Sequence, residues 1–160
     1  MIVLAARPRP LCHTAGVDPA ADAIAREIDA LLDAYDRELE YFESTAALLI
    51  PLMRDLLAAI DAAFASPSDP QVLEGARNAR ARYVEALQGL QPLLDDWLKV
   101  RGSNWRAWEA EPAMSDLQYA RLERLSARET ALALGRDEFD RLQDAVRSRL
   151  LLFEEANRGR

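Results

Sequence analysis

"AALLIPLMRDLLAAIDAAF", residues 46–64, is apolar on more than one face and carries a proline, Pro51, inside it. A helix that is hydrophobic over most of its circumference must be buried on several sides. The stretch is therefore either a wide core seam or a core seam with surface to spare for a second subunit or client. It does not read as a membrane span, because Arg54, Asp55 and Asp61 interrupt it and a span needs about 20 largely uncharged residues.

The same face extends in both directions. Ile24, Ile28, Leu31, Tyr35, Leu39, Phe42, Ala46, Leu49, Met53, Leu56, Ile60 and Phe64 follow one another in steps of three and four, a helical stripe with coiled-coil-like spacing. Proline inside a helix removes a hydrogen bond and crowds the preceding turn. The stripe nevertheless keeps phase from Leu49 to Met53, so one kinked helix is expected, with a break at Pro51 as the alternative. Unbroken, it would be about 66 Å long. Its start is marked by Asp18-Pro19, an N-cap followed by proline at the first helical position.

"SPSDP", Ser66 to Pro70, is the clearest turn, with Asp69 and Pro70 opening a second helix. The second seam runs through Leu73, Ala76, Ala79 or Arg80, Tyr83, Leu87, Leu90, Leu94 and Leu98. Gly89 and Pro92 are positions where it would bend, and Gly102 is placed to end it. Ser115 caps the last helix, and Asp116 adds negative charge at its positive end. The last seam runs from Gln118, Leu122 and Leu125 to Val146, Leu150 and Phe153, and is weaker between Leu125 and Leu132. No strand pattern or repeat is visible. The expected fold is all-α: an elongated antiparallel bundle of three long helices, four if the first breaks at Pro51. Residues 1–18 read as a flexible N-terminal tail and 19–157 as a single helical-bundle domain.

The net charge of −7 is concentrated in residues 18–65, which hold eleven acids against three arginines. Nucleic acid is a poor fit for such a surface, since phosphate contacts need basic groups. A single cysteine, Cys12, excludes an internal disulfide and fits a reducing compartment. The start, "MIVLAARPRP", is too short in apolar residues for a signal-peptide core. A cytoplasmic protein without an integral membrane segment is expected.

Catalytic signals are sparse. The lone histidine, His13, sits beside Cys12 in the tail; two adjacent residues do not make a zinc site. The chain contains no Glu-x-x-His pair of the kind that holds di-metal centres in bundles. It also lacks a phosphate-binding glycine motif and a Gly-x-Ser-x-Gly elbow. The chain reads as non-enzymatic, with no metal and no cofactor.

Two features point to binding. Asp29, Asp33, Asp36, Glu40 and Glu43 recur in steps of four and three, a carboxylate stripe on one face of the first helix. Like charges at this spacing repel by roughly 0.2–0.5 kcal/mol per pair. The stripe is either solvated, or answered by Arg121, Arg124 and Arg128 on the last helix, or a dock for a basic partner. The second feature is "RGSNWRAWEAEP", residues 101–112, a connector holding Trp105 and Trp108. Either the connector folds back and the rings plug the end of the bundle, or at least one ring is an interface anchor. In the second case Arg106 and nearby acids form its polar rim. The expected function is a protein–protein interaction module (adaptor, assembly factor or chaperone-like) binding another protein, a basic one if the stripe docks it. It would act as a homodimer or within a complex. Two alternatives are an amphipathic coat on a lipid or polymer interface and a small helical enzyme or ligand-binding bundle.

Overall fold

The computed structural model describes Gly16 and residues 18–158. The rest of the expected tail, with Cys12 and His13, lies outside the described residues. Among those described there is no strand. The chain forms α1 (Pro19–Ala65), α2 (Pro70–Gly89), α3 (Gln91–Val100), α4 (Ser103–Glu109) and α5 (Asp116–Asn157), with a 3₁₀ turn at Glu111–Ala113 before α5.

The three expected starts have their chemical causes. The Asp18 carboxylate accepts the Ala20 N–H at 3.0 Å, and Asp69 accepts that of Gln71 at 2.9 Å. Ser115 and Gln118 form a reciprocal capping box, which satisfies two otherwise orphaned donors at the head of α5. α1 runs through Pro51 without a break. Pro51 and Ala47, whose carbonyl a residue with an N–H would have paired, are both exposed, so water can replace the missing bond. The subdivision falls instead in the second helical region. At Leu90 the backbone stays helical (φ −84°, ψ −8°) and its N–H reaches Ala86 O at 3.1 Å, while Pro92 opens α3. The tryptophan connector between the expected second and last helices is itself helical as α4.

α1 packs against all four other helices. Side-chain pairs along it show the direction of α5: Asp33 meets Arg121 and Asp61 meets Arg149. The numbers rise together, so α1 and α5 run parallel, while α2 and α3 return antiparallel between them. This is the up-down-up order.

Two apolar clusters lie along α1. One joins its C-terminal half (Leu49, Met53, Leu56, Ile60) to Ala76, Ala79 and Tyr83 of α2 and to Val146 and Phe153 of α5. The other joins Ile28, Leu32, Tyr35 and Leu39 to Ala107 of α4 and to Leu122 and Leu125 of α5. The ends of the expected α1 seam, Ile24 and Phe64, are exposed. In the expected second seam Leu87 and Leu98 are exposed, whereas their neighbours Ala86 and Trp97 turn inward.

Candidate protein interface

α4 is a seven-residue helix too short to be stable alone. Three features place it. Gly102 takes φ +77°, a left-handed conformation that costs glycine little and turns the chain out of α3. The Glu38 carboxylate of α1 then accepts the N–H groups of Gly102 and Ser103, both at 3.1 Å. These donors at the head of α4 have no partner within the helix, so Glu38 caps α4 from 64 residues away. Finally, Ser103 and Ala107, four apart and both 0% exposed, are the inward face of α4, and the Ser103 hydroxyl donates to the Val100 carbonyl. Small side chains let two helix backbones approach closely.

That close approach leaves no room for an indole beneath α4. Trp105 is 69% exposed and Trp108 42%. The rings therefore do not plug the bundle. Trp97 packs inward instead, stacked on Tyr41 with ring centroids 5.4 Å apart. The Trp105 indole N–H donates to Glu109 Oε1 at 2.8 Å, which lays that ring along the helix. Arg106 donates to the Ser103 hydroxyl at 3.4 Å and to the Arg101 carbonyl at 3.5 Å.

Four of the five carboxylates of the acidic stripe meet α5. Gln118 donates to Asp29 at 2.9 Å. Arg121 meets Asp33 at 2.7 Å. Arg128 bridges two turns of α1, reaching Asp36 at 2.5 Å and gripping Glu43 through both Nε and Nη2. These hydrogen bonds from Arg128 hold the Glu43 carboxyl below its usual range despite some opposing desolvation. Arg124, the other arginine expected to answer the stripe, has no ion pair among the described residues. Glu40 also lacks one there, and borders a cleft of about 400 Å³ with Arg37, Tyr41, Trp97 and Lys99. Each pair is half open to water and worth roughly 0–1 kcal/mol. Together they fix the register of α5 on α1 and engage most of the charge a basic partner would have met.

Between the two apolar clusters lies a polar layer that sequence reading missed. The buried Tyr35 hydroxyl donates to Glu129, Asn104 of α4 donates to the same carboxylate at 3.2 Å, and Arg136 approaches it at 3.8 Å. The Arg136 guanidinium also lies over the Phe42 ring, 4.9 Å from its centroid. Burial, then the bond to Glu129, pushes the Tyr35 phenol well above its ordinary range. Its visible signal was the gap in the α5 seam after Leu125.

Beside α4 a groove of about 480 Å³ opens against the N-terminal half of α1, lined by Ala30, Leu31, Ala34, Arg37, Lys99 and Arg106 among others. Among the described residues no cluster of three or more metal-ligating side chains occurs, and no helix is long and apolar enough to cross a membrane. Comparison with known proteins gives no matching family model, curated protein or solved structure.

Proposed function

We propose that this chain is a helical protein-interaction module and that α4 is its contact element. The observation that carries the reading is the outward display of Trp105 and Trp108 from a helix anchored by Ser103, Ala107 and Glu38. Tryptophan is over-represented at binding hot spots, and a pre-formed helix does not have to be ordered on binding. Covering the open parts of both rings would remove roughly 170–280 Å² of apolar surface, about 4–7 kcal/mol gross. Association itself costs about 4–15 kcal/mol. The indoles thus serve as the anchor of a larger contact and need adjoining surface.

The test is site-specific photo-crosslinking in cells. A photoreactive residue at position 105 or 108 is compared with one at Arg82, an exposed site on α2. Adducts with one partner from 105 and 108 but not from 82 support the reading. Equal labelling from all three, or none from α4, refutes it.

A further inference from the structure

Beside α4 the N-terminal half of α1 carries an open groove. The C-terminal half of α1 has α2 on one flank and α5 on the other. Along the N-terminal half, the returning chain changes direction: α3 ends at Val100, and Gly102 redirects it into α4, which packs on α1 beside the groove. Val100 of α3 and Ala30, Leu31 and Ala34 of α1 make the groove's apolar lining. From Glu27 to Arg37 the α1 wall is about 15 Å, close to three helical turns.

The rim carries charge of one dominant sign. Arg37, Lys99 and Arg106 line the groove against a single acid, Glu27, in a chain whose net charge is −7. Lys99 is shared with Asp96 at 2.9 Å. The two arginines make no ion pair: Arg37 donates to the Asp33 carbonyl at 3.4 Å and meets the Asp96 carboxylate only at longer range, and Arg106 donates to a carbonyl and a hydroxyl. Neither has a carboxylate within ion-pair distance among the described residues. Arg106 brings α4, the helix that carries Trp105 and Trp108, to the edge of the groove, although neither indole lines it.

Resting on the interaction reading above, we infer that the groove seats an acidic amphipathic helix of the partner protein. Its apolar side lies on Ala30, Leu31 and Ala34, and its carboxylates meet Arg37 and Arg106. Other occupants fit less well. Residues 1–17 of this chain carry Arg7 and Arg9 and no acid, the wrong sign for this rim. A second copy has most of its acidic stripe engaged by Gln118, Arg121 and Arg128. A contact of ordinary size needs about 800 Å² from each partner, which the indoles alone do not supply.

The experiment displays a random library of peptides about 16 residues long, roughly four helical turns, against the full chain. Enriched peptides are then titrated against wild type, Arg37→Glu/Arg106→Glu and Trp105→Ala/Trp108→Ala, with circular dichroism confirming that each variant is folded. The expected result is enrichment of acidic peptides with apolar residues at helical spacing. Their affinity should drop about tenfold or more in the arginine variant and weaken as salt rises. Neutral or basic winners overturn this inference, as do acidic winners that bind the arginine variant as well as wild type. If such winners still depend on the tryptophans, the interaction reading survives alone; if nothing is enriched, both fall. A wild-type chain that dimerises through this groove, shown by loss of the dimer in the arginine variant, also overturns the inference.

Discussion

Replacing Glu38 by glutamine isolates what holds α4 in place. The carboxylate accepts two backbone N–H groups at 3.1 Å each. Glutamine keeps one oxygen but turns an NH₂ group, a donor, toward the second N–H. One charge-assisted bond becomes a neutral one and the other is lost. Losing a helix cap costs about 0.5–2 kcal/mol, and an unsatisfied buried donor about 1–3 kcal/mol. Since Glu38 is half-buried, about 1–2 kcal/mol is expected. For a protein of this size that lowers Tm by roughly 2–8 °C. The sharper assay is native-state hydrogen exchange. The Gly102 and Ser103 amides should exchange about 5–30-fold faster, because each 1.4 kcal/mol is a factor of about ten, while amides around Met53 and Leu56 lose protection only through the fall in global stability. Unchanged exchange at Gly102 and Ser103 would refute the capping argument. With it would go the claim that α4 is pre-formed for binding.

Two further predictions follow from the charged groups. Burial raises the Tyr35 and Tyr83 phenols, so the unfolded chain releases these protons first. Stability should fall as pH rises through about 10, the ordinary tyrosine value, and urea unfolding of Tyr35→Phe should show a shallower decline than wild type between neutral and strongly alkaline pH. Arg128→Ala removes the partner of both Asp36 and Glu43. A loss of about 1 kcal/mol is expected near neutral pH. Because Glu43 is depressed, its contribution is present above the ordinary glutamate value and lost as pH falls through the folded one. The wild type and variant should therefore converge in acid, and a gap that persists there would count against the pair.

Local chemistry was legible in the sequence, and distance was not. Asp18, Asp69 and Ser115 announce helix starts because a cap acts within three residues. Arg121 and Arg128 were legible as answers to the stripe because their spacing matches it. The choice between Ala86 and Leu87, or Trp97 and Leu98, is different. Hydropathy favours the leucine at both pairs, but in each the neighbour is the inward residue. For α4 the size of two indoles argued for burial, while the deciding signal was the pair of small residues Ser103 and Ala107 four apart. Glu38 gave no local sign at all, since the groups it binds are 64 and 65 residues away.

The parallel pairing of α1 with α5 bears on the order in which the protein is made. Contacts such as Asp33 with Arg121 join residues 88 apart in the chain. At about 5–20 residues per second of synthesis, the stripe of Ile28, Leu32 and Leu39 leaves the ribosome roughly 4–20 s before the helix that covers it. Throughout that interval the nascent chain presents an apolar ridge that α4 alone covers only in part, and the like charges of its carboxylate stripe repel one another until Arg121 and Arg128 arrive. The last helix to emerge is the one that completes both clusters.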